Sequence, residues 1–149
     1  MSGVEFLSPE WIRTYQAILR DGTAGEDFAG IEFGLYELFK NVPLHLQHGR
    51  GADIFYGYRI SRGRLEFPDQ PWADATIRVV ADFESVAPWV NLPKEQSQAA
   101  GVLARLERAG KLRIAGNPAD TPMIIQKLKL HDQLAGITAP YVGSPYWEG

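Results

Sequence analysis

The stretch GKLRIAGNPADTPMIIQKLKLHDQL, residues 110–134, decides the fold because it joins a short strand to a strongly apolar helical segment. Leu112 and Ile114 alternate with charged residues, which is typical of a strand. The GN turn follows, and Asp120 or Thr121 is expected to cap a helix whose first residue is Pro122. On one continuous helix, the apolar side chains would cover an arc of roughly 220°, against a stripe of about 100° on an ordinary surface helix. These side chains are Met123, Ile124, Ile125, Leu128, Leu130, Leu134 and Ala135.

Such a helix needs two apolar neighbours. One is expected to be a sheet, and the second is a neighbouring helix, a cavity or another subunit. Lys127 and His131 fall inside the apolar arc of this helix.

A first helix is predicted in LSPEWIRTYQAILRDG, residues 7–22. Ser8 is a capping residue, Pro9 suits the first turn, and Gly22 ends the segment. One face carries the apolar stripe Trp11, Ile12, Tyr15, Ile18 and Leu19.

A period of two then marks four strands in succession. They lie between Gly30 and Asn41, in ADIFYGYRIS (52–61), around Leu65 and Phe67, and in ADATIRVVAD (73–82). We expect the four to form an antiparallel meander, with PLHLQHGRG (43–51) as a long hairpin connection.

After Asp82 the apolar residues recur again with the spacing of a helix. Pro88 predicts that the first of two helices is short or bent, and a second helix in KEQSQAAGVLARLERAG is expected to end at Gly110. With the strand and helix of 110–134, the chain reads as one α+β domain over residues 1–149. The tail from residue 138 to 149 is rich in Pro, Gly and aromatic residues, so we expect it to be irregular but docked.

Composition excludes several classes of function. The chain has 149 residues, 45% hydrophobic and 22% charged, and no cysteine, which excludes disulfides and thiolate chemistry. Its net charge is −3 and its 15 Lys and Arg are scattered, so a nucleic-acid partner is not expected. No apolar run approaches the roughly 20 residues of a membrane span, and no basic and apolar leader is visible. We therefore expect a cytoplasmic protein with no membrane insertion.

Four stretches in order resemble the sterol carrier protein type 2 superfamily: FLSPEWI (6–12), RISRGRLEF (59–67), ADATIRVVADFESVAPWVNL (73–92) and AGKLRIAGNPADTPMIIQKL (109–128). Their order and spacing carry the resemblance. It implies a mixed, mostly antiparallel five-stranded sheet covered on one face by helices. It also implies an apolar cavity between the two layers, which holds a lipid, a sterol, a fatty acid or acyl coenzyme A.

The resemblance places the cavity walls on inward-facing side chains. The expected ligand-binding residues are Phe33, Leu35, Tyr56, Tyr58, Phe83, Val86, Trp89, Val90, Val102, Leu103, Leu106, Ile124, Ile125 and Leu128, with His131 for a polar end. A packed core would have the same composition, and a void costs on the order of 24 cal/mol per Å³. The pattern alone does not separate a cavity from a packed core.

The sequence gives little support for a metal site, a catalytic site or a nucleotide-binding site. His45 and His48 lie near Asp53 in a segment with loop residues, so no metal is expected there. There is no G-x-S-x-G or phosphate-binding loop, and no catalytic residue or cofactor is predicted. His131 is either a core histidine bonded to a backbone carbonyl or a group that holds a ligand's polar end. Glu37 interrupts an apolar strand face, and it is paired inside, acts on a ligand, or lies where the strand leaves the core; we favour the last.

Three functional hypotheses follow. The first is a non-enzymatic carrier of an apolar ligand. The second is an accessory subunit of an enzyme complex that binds its protein partner through the aromatic tail residues Tyr141, Tyr146 and Trp147. The third is a small enzyme that uses the cavity as its active site, with His131, Glu37 or the tyrosines as acid and base.

Overall fold

A sheet of five strands organises the protein, whose computed structural model describes residues 3–90 and 100–139. Strands β1 (Phe33–Lys40), β2 (Ile54–Ser61), β3 (Arg64–Glu66), β4 (Ile77–Asp82) and β5 (Leu112–Ala115) lie in the order β3-β2-β1-β4-β5. Three of the four strand pairs are antiparallel, and β1 and β4 are parallel. The predicted mixed, mostly antiparallel sheet is confirmed.

The predicted four-strand meander is wrong at β4. That strand pairs in parallel with β1, on the side opposite β2, so the chain between β3 and β4 crosses the sheet. The crossing segment is held on the face away from the core: Trp72 packs over Gly34, and Thr76 Oγ1 accepts a 3.1 Å hydrogen bond from the Gly34 N–H. A period of two marks a strand but not its partner, which is why the pairing escaped the pattern.

Helix α1 (Pro9–Gly22) forms as the sequence predicts. Ser8 Oγ accepts a 3.1 Å hydrogen bond from the Trp11 backbone N–H, which is the expected N-cap. The helix buries Trp11, Tyr15 and Leu19 against the sheet, and Trp11 Nε1 donates a 2.9 Å bond to Thr138 Oγ1 near the end of the described chain. The residues that follow Ile137 also pair with Val4, so this part of the tail is docked.

The segment predicted as a long hairpin connection joins the antiparallel strands β1 and β2, as expected, and it contains the short helix α2 (Leu44–Gln47), which the pattern did not predict. Leu46 from this helix is 1% exposed in the core. The guanidinium of Arg50 donates to the backbone carbonyls of Leu7 and Leu46 and ties the segment to the start of α1. Burial of one leucine and capture of free carbonyls therefore order residues that have turn-like composition.

Helix α3 (Phe83–Val86) is short, as Pro88 predicts, and continues as one 3₁₀ turn at Ala87–Trp89. Asp82 Oδ2 accepts from the Ser85 backbone N–H at 3.3 Å and caps the helix. The next helix, α4, is described from Ala100 to Arg108, while its predicted start lies outside the described residues.

The single apolar helix expected after Pro122 is broken in two, which corrects the prediction. Helices α5 (Met123–Gln126) and α6 (Leu130–Ile137) are separated by a turn in which Lys129 has a left-handed φ of 51°. The helical wheel that placed all seven apolar residues on one arc therefore does not apply. Met123 is 69% exposed, whereas Ile125 and Leu134 are buried.

The core lies between one face of the sheet and the helices, as expected. Alternate residues of every long strand point into it, including Phe33 and Phe39 of β1 and Tyr58 and Ile60 of β2. The aromatic tail beyond residue 139 lies outside the described residues, so its role as a partner surface stays a prediction.

Candidate functional site

Two neighbouring rows of side chains cross the helix-covered face of the sheet and differ sharply in burial. The first, here called the Phe39 row, runs across four strands and is fully buried; its members are Ile54 (3% exposed), Phe39 (0%), Ala81 (2%) and Leu112 (5%). The second, here called the Glu37 row, opens towards the β5 edge. It consists of Tyr56 (5%), Glu37 and Val79, both half-buried, and Ile114 (40%).

This contrast marks the Glu37 row as the less completely covered part of the sheet face. Leu35, on the same strand face as Glu37, is also half-buried although it belongs to the central strand. A residue in the middle of a sheet, on the face that helices cover, is normally sealed by close packing. On the helix side, Leu103 and Leu106 of α4 are half-buried as well, and α4 packs beside β5. The Glu37 row is therefore less completely buried than the Phe39 row beside it.

Four polar side chains meet at the inner end of this row, here called the polar cluster: Tyr15, Glu37, Tyr56 and Tyr58. Burial raises the pKa of Glu37 to about 7, and the hydroxyl of Tyr56 donates a hydrogen bond to its carboxyl, which lowers the pKa in part. Yet Glu37 keeps part of its accessible surface.

The tyrosines of the polar cluster stay protonated. Burial, together with the negative charge of Glu37, raises the pKa of Tyr56 and Tyr58 above the ordinary value, and burial does the same to Tyr15. Their hydroxyls can therefore donate hydrogen bonds but cannot serve as bases near neutral pH. The Tyr15 hydroxyl is buried and has no hydrogen-bond partner within the described part of the chain.

Aromatic packing fixes the position of the cluster. The ring of Tyr56 lies 4.8 Å from that of Tyr15 and 4.9 Å from that of Trp11, both in edge-on contact. Phe6 packs edge-on against Trp11 at 4.9 Å and against Phe39 at 5.0 Å. These contacts hold the tyrosine rings in place, so that the hydroxyls are presented by a rigid wall.

The structure brings most of the sequence-predicted residues to this layer. Phe33, Tyr56, Tyr58, Phe83, Val86 and Ile125 are buried in the core, and Leu35, Val90, Leu103, Leu106, Ile124 and Leu128 pack against it while half-buried. Trp89 and Val102 are half-buried too. Their contact with a ligand stays a prediction.

His131 is the exception among the predicted residues, because it is exposed. The left-handed Lys129 turns α6 relative to α5, and this removes His131 from the face that a continuous helix would give it. It therefore does not join the polar cluster.

Sequence reasoning missed the residues that make the opening. Glu37 does not lie where β1 leaves the core, as we favoured, but in the middle of the strand opposite Tyr56. The signal was present, since a lone carboxylate on an apolar strand face needs a partner or a special environment. Val79 and Ile114 had no such signal, because their exposure depends on packing between layers.

No cluster of His, Asp and Glu within residues 3–90 and 100–139 could hold a metal ion. His45 instead forms a 2.7 Å contact between Nε2 and Glu5 Oε2 at an exposed position. His48 is exposed at the end of α2.

A concavity of about 430 Å³ lies on the opposite face of the sheet. Two of its carboxylates have side-chain partners: Arg59 Nε donates to Glu66 Oε1 at 3.1 Å, and the Glu32 carboxylate accepts from the Ser61 hydroxyl at 2.9 Å. Arg59 also lies 5.8 Å from the ring of Trp72. This surface is mixed in charge and shows no preference for one kind of ligand.

Comparison with known proteins places the chain beside sterol carrier protein structures. It is 16% identical to a conserved hypothetical protein of Thermus thermophilus, described as possibly a sterol carrier protein, over 95% of this chain and 96% of that one, with a TM-score of 0.43. It is also 16% identical to the sterol carrier protein domain 2 of Helicoverpa armigera, over 95% and 99% of the two chains, with a TM-score of 0.41. A UbiJ-SCP2 ubiquinone synthesis protein is 18% identical over 89% and 82%, with a TM-score of 0.35.

At these identities and TM-scores, the likeness carries no information on what this chain binds. No family model and no curated protein matches the chain. Within the described residues, no helix combines the length and the apolar character that crossing a membrane requires.

Proposed function

We propose that this protein is a non-enzymatic carrier that holds an apolar ligand between the sheet and the helices. The ligand classes are those that the sequence resemblance implies: a fatty acyl chain, acyl coenzyme A, a lipid or a sterol. The single observation that supports the proposal is the opening of the Glu37 row beside the sealed Phe39 row.

The opening has the chemistry of a carrier site. Its walls are apolar side chains, including Leu35, Val79 and Ile114, and a few polar groups meet at its inner end. Apolar walls with a small number of oriented polar groups are typical of sites for small ligands. Because an unfilled apolar gap costs stability, occupancy by a ligand would stabilise the protein.

A filling substitution tests this proposal. Val79→Phe should be tolerated and should weaken binding of an apolar fluorophore, because the larger side chain occupies the gap. The matched control is Val80→Phe, since Val80 is the next residue of β4, half-buried on the opposite sheet face. Binding by the control should match that of the wild type.

The opposite result would contradict the proposal. In a filled core, Val79→Phe would overpack and cost about 1 to 3 kcal/mol of stability. Two results together would mean that the layers are closed. The variant would be destabilised by this amount, and the wild-type protein would bind no acyl, sterol or acyl coenzyme A ligand.

One observation favours a second candidate, an enzyme with its active site in the same gap. The pKa of Glu37 lies at about 7, which suits a general acid or base near neutral pH. Incubation of the protein with a bound ligand, followed by extraction and mass spectrometry, separates the two functions. A carrier returns the ligand unchanged, whereas an enzyme returns a product whose formation is lost in Glu37→Gln.

A further inference from the structure

The polar cluster adds a chemical preference to the proposed function, on which this inference rests. We propose that the ligand ends in an uncharged hydroxyl group, which hydrogen-bonds to the carboxyl of Glu37 in the polar cluster. The apolar part of the ligand then lies along Val79 and Ile114. The site would select long-chain alcohols over fatty acids of the same length.

Unmade hydrogen bonds at the inner end of the gap are the first support. The Tyr15 hydroxyl is buried without a partner in the described chain, and the side chain is 1% exposed. The enclosed carboxyl of Glu37 receives a hydrogen bond from Tyr56 and has lone pairs left that can accept another. Buried polar groups normally have hydrogen-bond partners, so an oxygen-bearing end of a ligand fits here better than a methyl end.

The charge of the surroundings selects among oxygen-bearing groups. The groups that face Glu37 are Tyr15 from α1 and Tyr56 and Tyr58 from β2, while β4 contributes the apolar Val79. Within the described residues, no lysine or arginine contributes to the pKa of Glu37. A carboxylate ligand would therefore bring a second negative charge into an enclosed site that has no compensating cation.

A hydroxyl matches both protonation states of Glu37. It donates a hydrogen bond to the carboxylate and accepts one from the protonated carboxyl, because an alcohol is both donor and acceptor. With a pKa of about 7, Glu37 samples both states near neutral pH. An ammonium group would pair only with the ionised form of Glu37, and it would lose its hydration when it enters the site.

The row also gives the ligand a direction. Adjacent strands are about 4.8 Å apart, so Glu37 and Ile114 are separated by about 10 Å across the sheet. The row begins at the enclosed polar cluster and ends at Ile114, which is 40% exposed on β5. The ligand's polar end would thus lie inside and its apolar end would point to the sheet edge.

Three probes with the same alkyl chain test the inference: dodecanol, dodecanoate and dodecylammonium. Each probe competes with the uncharged fluorophore N-phenylnaphthylamine for binding to the whole protein, near pH 8 and near pH 5.5. We expect dodecanol to bind at least about tenfold more tightly than either charged probe near pH 8. The preference over dodecanoate should shrink near pH 5.5, because Glu37 gains a proton there and no longer repels the carboxylate of the probe.

Two variants assign the preference to the cluster. Glu37→Gln keeps the shape and removes the charge, so the ratio of dodecanol to dodecanoate affinity should fall towards one near pH 8. Tyr15→Phe removes the unpartnered hydroxyl and should weaken the binding of dodecanol several-fold. The control is Glu107→Gln, since Glu107 is exposed on α4, and it should keep the wild-type ratio.

The outcomes separate this inference from the proposed function. If dodecanoate or dodecylammonium binds as tightly as dodecanol near pH 8, or if Glu37→Gln leaves the ratio unchanged, the inference is overturned and the carrier function stands. If the fluorophore does not bind and none of the probes is retained, both fail. Should a variant not fold, the wild-type ratios at the two pH values still decide.

Discussion

Replacement of Glu37 by glutamine should make the protein more stable at alkaline pH than the wild type. The pKa of this carboxyl rises from its ordinary value of 4.5 to about 7 on folding. Below pH 4.5 the carboxyl is protonated in both the folded and the unfolded protein, and it does not lower the free energy of unfolding. As the pH rises through this window the unfolded chain releases its proton before the folded one does, so wild-type stability falls.

The size of the effect follows from the shift. One pKa unit corresponds to about 1.4 kcal/mol, so the full shift from 4.5 to about 7 corresponds to at most about 3 kcal/mol above neutral pH. The glutamine side chain of the variant has no titrating proton and preserves the shape of the glutamate. The difference in unfolding free energy between variant and wild type should therefore grow in favour of the variant between pH 4 and pH 8, by up to about 3 kcal/mol.

Urea unfolding at several pH values, followed by tryptophan fluorescence, measures this difference directly. The tyrosines of the polar cluster do not titrate in this range, since burial raises the pKa of each above its ordinary value. Glu107→Gln serves as the control and should run parallel to the wild type. Parallel curves for Glu37→Gln as well would refute the reasoning, because they would mean that the Glu37 carboxyl is solvated in the folded state.

Further substitutions test the fold around the site. Gly57→Ala should lower the unfolding free energy by about 3 kcal/mol in thermal or urea unfolding, because the added Cβ would lie 2.3 Å from a backbone oxygen of β1. The control Gly101→Ala has open space around the added Cβ and should change the unfolding free energy by less than about 1 kcal/mol. Trp11→Phe loses the 2.9 Å bond to Thr138 and should lower the unfolding free energy by about 1 kcal/mol or more, with faster hydrogen exchange at the docked tail. Asp82→Ala removes the cap of α3 and should cost about 1 kcal/mol near neutral pH. Because the hydrogen bonds to Asp82 lower its pKa below 3.8, that contribution is present above this value and is lost as the pH falls.

The sequence by itself determined the local structure and the two faces of the sheet. Ser8 and Pro9 start α1 where capping chemistry predicts, and Asp82 caps a helix that Pro88 keeps short. The alternation in β1 and β2 assigns Phe39 and Tyr58 to the core, and both are buried there. These features depend on neighbours a few residues apart, so the order of residue types suffices to specify them.

Tertiary structure alone decided which strands pair and which part of the sheet face is less completely covered. β4 could pair on either side of the sheet as far as its pattern is concerned, and it lies parallel to β1. The break at Lys129 exposes His131, which a continuous helix would have turned inward. Val79 looks like any other strand residue, and Glu37 looks like a carboxylate without a partner, until four strands and the helices above them are assembled. Their accessibility depends on how completely side chains from distant segments fill the same volume, and packing of that kind has no local signature in the sequence.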